Sequence, residues 1–128
     1  MTCRVSIIIP TLNEAMTLGR TLRVLSILEP PAWEILVVDG GSQDQTVAIA
    51  QTAAVSIIVA DKTGRSVQMN RGAAAATGDV LCFLHADTLV PDDIVSVIDL
   101  TLINPAIAAG GFISLMTGES TTRWVVSL

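Results

Sequence analysis

Positive charge is scarce in this 128-residue chain: 7 Lys and Arg stand against 12 Asp and Glu, for a formal net charge of -5. A general nucleic-acid binder needs a basic face, so that class is excluded. An anionic ligand is not, because backbone amides at helix starts and one or two arginines hold phosphate locally. Cysteine is rare too. Cys3 and Cys82 lie far apart with no Cys or His at metal-ligand spacing, which argues against a disulfide or zinc framework; each reads as a small strand hydrophobe. No run of 18 apolar residues occurs, so no bilayer-spanning helix is expected. The first residues pass into a strand without the apolar region of a signal peptide, and a cytoplasmic chain is expected. Repeats, low-complexity tracts and linkers are missing as well, and the length fits one domain, 1–128, with one core. Charged residues make up only 15% against 51% hydrophobic, well to the apolar side of globular usage. Disorder is excluded, and contact with a membrane surface or a partner chain stays open.

What is present alternates. Val5 to Ile9 is an apolar, β-branched run ended by Pro10. Thr11 and Glu14 fit a capping box, and Leu18, Leu22, Leu25 and Leu28 recur at helical spacing until Pro30-Pro31. Glu34 to Val38 is a second strand, closed by Asp39-Gly40-Gly41-Ser42; Ser42 and Gln45 repeat the capping-box pattern ahead of a helix to about Ala53. Val55 to Val59 is a third strand, followed by an alanine-rich helix over about Ser66 to Ala76. Val80 to Leu84, short, apolar and bounded by turn signals, reads as a fully buried strand. Pro91 to Ile103 reads as a helix with Asp92 and Asp93 complementing its dipole. Ala106 to Leu115 suits a fifth strand with a bend at Gly110-Gly111. Met16, Met69 and Met116 read as core fillers.

Strands alternating with helices over short connections predict an α/β, Rossmann-like parallel sheet with helices on both faces. Open sheets of that kind bind ligands beyond the carboxyl ends of their strands. Polar residues gather there: Thr11, Asn13 and Glu14 after the first strand, Asp39 after the second, His85 and Asp87 after the fourth. Strand order 3-2-1-4 brings those three tips together. Each residue also has a plainer reading, as a helix cap or turn residue, and a cap and a ligand contact can coexist. Pro10 to Glu14 contains no glycine, and no Gly-x-x-x-x-Gly-Lys-Ser/Thr loop exists, so dinucleotide-binding and P-loop chemistry are disfavoured.

Three ordered blocks carry a resemblance: Ser6-Ile7-Ile8-Ile9-Pro10-Thr11-Leu12-Asn13-Glu14; Ile35-Leu36-Val37-Val38-Asp39-Gly40-Gly41-Ser42 with Asp44 and Thr46; and Asn70-x-Gly72 through Gly78-Asp79 to Phe83-Leu84-His85-Ala86-Asp87. Together they resemble the family 2, GT-A-fold glycosyltransferases over residues 4 to about 113. The Gly64-Arg65-Ser66-x-Gln68-Met69-Asn70-x-Gly72-Ala73 stretch and the His-Ala-Asp variant look like a bacterial subgroup. The resemblance implies that Pro10, Thr11 and Glu14 line a nucleotide pocket and that Asp39 accepts the imide N–H of a uracil-like base. It implies that Asp87, matching the last Asp of an Asp-x-Asp motif, binds Mg2+ or Mn2+ bridging the diphosphate of a nucleotide-diphosphate sugar, with UDP-sugar favoured. Hard ions of this kind accept one protein carboxylate plus phosphate and water oxygens.

The chain departs from the family pattern at two places. His85 replaces the first Asp of the motif; its imidazole donates to a hydroxyl, ligates Mn2+, or is an ordinary strand-end histidine. Met69 stands where many members carry arginine, and Arg65 or Arg71 would supply that charge, each equally readable as a solvated surface residue. The resemblance also implies an acceptor-binding region bearing the catalytic base. Glu119 is the only carboxylate after Asp99 and no pattern makes it that base, so no catalytic residue is assigned. A chain truncated on its C-terminal side is expected, self-associating as a homo-oligomer through Ala106 to Leu128. Two functions stay open: a metal-dependent glycosyltransferase, and a catalytically incomplete nucleotide-binding fragment of one. A nucleotidyltransferase is disfavoured, because no glycine-rich loop follows the first strand.

Overall fold

A computed structural model describes residues 3–104 and 106–107, together with the backbone of strands 111–116 and 122–127. The elements run β1 (Val5–Thr11), α1 (Leu18–Ser26), β2 (Glu34–Asp39), α2 (Thr46–Gln51), β3 (Ser56–Val59), α3 (Arg65–Ala75), β4 (Val80–Phe83), α4 (Ile94–Leu102), β5 (Gly111–Met116) and β6 (Thr122–Ser127). The first four strands form one parallel sheet in the order β3-β2-β1-β4, while β5 and β6 pair antiparallel with each other. The expected order 3-2-1-4 is therefore the observed one. The expected self-association surface, Ala106 to Leu128, lies almost wholly outside the residues whose side chains are described.

The register explains why β1 is apolar along its whole length. Ile7 and Ile9 face a core shared with Leu18, Leu22 and Leu25 of α1, Ala50 of α2 and Ile94, Val95 and Ile98 of α4. Ile8 points to the opposite face and joins Leu36 and Val38 beneath Ala73 and Ala76 at the end of α3. A central strand covered on both faces alternates between two cores, so period-2 polarity disappears. Each such Ile or Val contributes about 1.5–3 kcal/mol of burial.

Four local expectations need correction. Val80–Phe83 is an edge strand of this sheet, covered on one face: Cys82 is buried, while Leu81 and Phe83 are 41% and 43% exposed on the α3 side, because α3 lies over β1 and β2. Neither capping box forms. Thr11 ends β1 and gives its hydroxyl to Asp39, and Ser42 does the same; α1 begins only at Leu18, whose N–H bonds Glu14 O at 2.9 Å. Asp92 and Asp93 precede α4 rather than filling its first turn. Met16 is 98% exposed and fills no core.

Candidate functional site

Parallel pairing of Thr11 with Asp39 sets the tips of β1 and β2 side by side. The loops beyond them are joined by two matching relays. Asn13 N–H donates to Ser42 Oγ (2.8 Å), and Ser42 Oγ–H donates to Asp39 Oδ1 (2.6 Å). Glu14 N–H donates to Thr46 Oγ1 (2.8 Å), whose hydroxyl makes a short bond to Asp44 Oδ1. Gln43 N–H to Asn13 Oδ1 (2.8 Å) and Ala15 N–H to Asp44 Oδ2 (3.2 Å) close the set. Asn13 sits at φ 53 and Gly41 at φ 100; Asn is among the few side chains that tolerate the left-handed region, and glycine enters it freely.

Asp39 is the anchor of this bracing. Its Oδ1 accepts from Thr11 Oγ1 (2.8 Å) and Ser42 Oγ, and its Oδ2 from Gly41 N–H (3.0 Å) and Ser42 N–H (2.8 Å). Burial pushes its carboxyl up, but the Ser42, Thr11 and Gly41 hydrogen bonds together outweigh that and hold it below the usual range. With four donors and 1% exposure, the carboxylate has no acceptor position left over.

On the other side of β1, Leu84 N–H continues the ladder to Ile8 O (2.9 Å), and the buried Thr21 hydroxyl of α1 donates to Ala86 O (2.5 Å). Ala86 is thereby pinned inward, and His85 and Asp87 on either side of it are exposed. They open onto a cleft of about 250 Å³ lined by Pro10, Thr11, Leu12, Glu14, Thr63, Gly64, Arg65, Gln68, His85, Ala86 and Asp87, near the small end of ligand pockets.

Six of the eight residues expected at the site, Pro10, Thr11, Glu14, Arg65, His85 and Asp87, line this cleft. Asp39 and Arg71 do not. Asp39 is behind Thr11, enclosed by its donors. Arg71 is exposed, and six residues from Arg65 on one helix, about 600° of rotation, turn it to another side. Gln68, 3% exposed, lines the cleft as well and was not among the residues expected there. Its signal was the spacing Gln68, Gly72, Ala76, an i, i+4, i+8 stripe in which the two later members are small and pack toward the sheet.

Glu14 links the two halves electrostatically. Its carboxyl is raised by burial, then by the negative charges of Asp87 and Asp44, with His85 and Arg65 acting in the opposite sense. Among the described residues no three His, Cys, Asp or Glu side chains gather into a metal cage. The donors present fit a cation held in another way. Hard ions take one or two carboxylates and fill the remaining positions with phosphate and water, and two carboxylates close enough to repel are relieved by a cation.

A doubly wound α/β unit with its polar cleft at the topological switch point is a ligand-binding arrangement. The family model described as Glycosyl transferase family 2 matches residues 6–126, so the chain belongs to that family. It is similar to glucosyl-3-phosphoglycerate synthase of Mycolicibacterium smegmatis, 31% identical over 97 residues covering 69% of this chain and 32% of the relative. It is also similar to a PGL/p-HBAD biosynthesis glycosyltransferase of Mycobacterium bovis, 42% identical over 88 residues covering 64% of this chain and 34% of the relative. Among solved structures, mannosyltransferase PcManGT from Pyrobaculum calidifontis, in complex with GDP-Man and Mn2+, superposes with a TM-score of 0.76 at 25% identity over 84% of this chain and 34% of that one. Glucosyl-3-phosphoglycerate synthase from Mycobacterium tuberculosis, in complex with Mn2+, UDP and glucosyl-3-phosphoglycerate, shares the fold with a TM-score of 0.58 at 23% identity over 66% of this chain and 33% of that one. The chain spans about a third of the length of the curated relatives it matches.

Proposed function

We propose that this chain forms the donor-binding part of a metal-dependent glycosyltransferase that moves a sugar from a nucleotide diphosphate to an acceptor. The observation that carries this reading is the meeting of Glu14, Arg65, His85 and Asp87 in one cleft at the tips of β1 and β4, in a chain of this family. A relative solved with GDP-Man and Mn2+ supports the donor class and a divalent cation.

Pro10 and Thr11 form the wall nearest the sheet, where base and ribose pack. Asp87 and Glu14 supply the carboxylate oxygens that would hold Mg2+ or Mn2+. When bound, the cation stabilises negative charge on a departing diphosphate. Arg65 opens the 11-residue helix α3, so its guanidinium and the helix N-terminus both favour a phosphate there. His85 stands beside Asp87 as a donor to a ribose or sugar hydroxyl. Among these residues none is positioned as the base for an acceptor, and that role is assigned to no side chain.

Calorimetric titration with UDP and with GDP, in Mn2+, in Mg2+ and in chelator, tests the reading. At least one nucleotide should bind about tenfold or more tightly with cation, worth about 1.4 kcal/mol, and Asp87→Ala should erase that dependence. Equal affinity in Mn2+ and in chelator would refute the metal role.

A further inference from the structure

We propose that Gln68 reads the nucleobase, presenting a fixed acceptor that favours a base with a ring N–H, as in uracil or guanine, over one whose ring nitrogen is an acceptor, as in cytosine or adenine. The inference rests on the donor-site reading above and names the part of the donor that the site selects.

Gln68 is nearly inaccessible, yet it lines the cleft beside Thr11, Thr63 and Gly64. Its amide cannot turn over. Nε2 donates to Thr11 O and to Val38 O, both at 2.8 Å, which uses both N–H groups on the two strand tips. Exchanging the amide nitrogen and oxygen would set the oxygen against two carbonyls. Among the described residues the one donor to Oε1 is Gly64 N–H, at 3.2 Å, the long limit of an N–H···O bond. One acceptor position on a rigidly oriented oxygen is therefore left at the base of the cleft.

The neighbouring strand tip explains why this task falls to α3. A carboxylate on β2 would be the direct way to accept an imide N–H, but Asp39 is filled by four protein donors. The next residue is Gly40, where an added Cβ would lie 2.7 Å from Gln68 Oε1, 2.9 Å from Cδ and 3.1 Å from Nε2. A side chain at position 40 would have to displace this amide from the place its hydrogen bonds give it. Gln68 fills the room that a β2-tip side chain would need, and with it the place of a base-reading acceptor. An acceptor facing a ring N–H forms a hydrogen bond; facing a ring nitrogen lone pair it repels, and a buried polar pair left unmade is penalised further.

The test uses the whole chain with Mn2+ and five probes: UDP, GDP, CDP, ADP and N3-methyl-UDP. Wild type should bind UDP or GDP about tenfold or more tightly than CDP and ADP, and UDP should exceed its N3-methyl form by a similar factor. Gln68→Met keeps the length and removes the acceptor, and should bind UDP, its N3-methyl form and CDP alike. If that variant gives no cooperative melt, Gly40→Ala presses on the same oxygen and should shrink the preference. Binding of all five probes with equal affinity by wild type overturns the inference and leaves the donor site standing. Preference retained in Gln68→Met, or undiminished in Gly40→Ala, assigns base reading elsewhere and also overturns it. Failure of every probe to bind removes the donor-site reading itself and this inference with it.

Discussion

One substitution, glycine to alanine, should have opposite effects in two helices of this protein. In α3, a Cβ on Gly72 would lie 2.5 Å from Ile8 Cγ2, 3.0 Å from Val38 Cγ2 and 3.5 Å from Ile8 Cγ1. Carbon atoms pack best at about 3.5–4.0 Å, so the new methyl overlaps Ile8 by about 1 Å. Ile8 is 0% exposed and sits in the centre of the sheet, so it has nowhere to move. Overpacking of this kind costs about 1–3 kcal/mol, and a clash against two buried branched side chains falls at the upper end. Alanine returns up to about 1 kcal/mol through helix propensity. The net expectation for Gly72→Ala is a loss of about 2 kcal/mol, or a Tm lower by about 6–12 °C in a chain of this size. In α1, a Cβ on Gly19 meets Arg23 Nη1 at 3.5 Å and Ile49 Cγ2 at 3.6 Å, ordinary contacts. Gly19→Ala should therefore leave Tm unchanged or raise it by a few degrees. Thermal and urea melts followed by circular dichroism measure both variants. A Tm for Gly72→Ala equal to or above wild type would refute the packing of α3 on β1 and β2. Because Gly72 is one turn from Gln68, Gly72→Ala should also weaken nucleotide binding, whereas Gly19→Ala should not.

Two further outcomes concern pH. The Asp39 carboxyl is lowered in the fold from 3.8, so its stabilising contribution is complete above the unfolded value and is lost as pH falls through the folded one; Asp39→Asn should cost about 1–3 kcal/mol at pH 7 and flatten the acid limb of a Tm-against-pH curve, and an unchanged limb would contradict the bracing role. Glu14 is raised from 4.5, so its contribution is present below the unfolded value and lost as pH rises through the folded one. Metal-free Glu14→Gln should consequently melt above wild type at pH 7 and level with it near pH 4, by less than about 1 kcal/mol, and a lower Tm at pH 7 would count against repulsion between Glu14 and Asp87.

Much of this arrangement was legible in the sequence, because it rests on features that act locally. Apolar runs closed by turn residues marked β1 to β4, and their alternation with helical spacing gave the parallel order. The rule that ligands sit beyond strand ends then placed Thr11, Glu14, His85 and Asp87 at one cleft. What was not legible depends on partners distant in sequence. Thr11 and Ser42 have the chemistry of helix caps, and only the carboxylate of Asp39, 28 residues from Thr11, draws them away from that role. The edge position of β4 is invisible in Val80–Phe83 itself, since a strand buried on both faces and one awaiting cover read alike. Gln68 was hidden for the opposite reason. A glutamine in an alanine-rich helix reads as a solvated residue, and its burial goes with the two strand-tip carbonyls, Thr11 O and Val38 O, that accept its amide N–H groups.

The polar residues around the cleft divide by whether their hydrogen bonds are already made. Asp39, Asp44, Ser42 and Thr46 bind one another and the backbone of residues 13–15, and Gln68 holds the carbonyls of both strand tips. None of these groups would have to reorganise when a ligand arrives, which is the condition for an electrostatically prepared site. Glu14, His85 and Asp87 are different: Thr46 holds the Glu14 N–H, and Ile8 and Thr21 hold the backbone of Leu84 and Ala86 beside His85 and Asp87, while all three residues line the cleft. Bracing one set leaves the other set of charges at a fixed place, where the Glu14 carboxyl is raised first by burial and then by the negative charges of Asp87 and Asp44, against the opposing His85 and Arg65. A cation with a diphosphate would neutralise that cluster without moving the braced frame. Ligand binding should therefore raise Tm by mass action, and Asp87→Ala should remove the cation-dependent part of that rise.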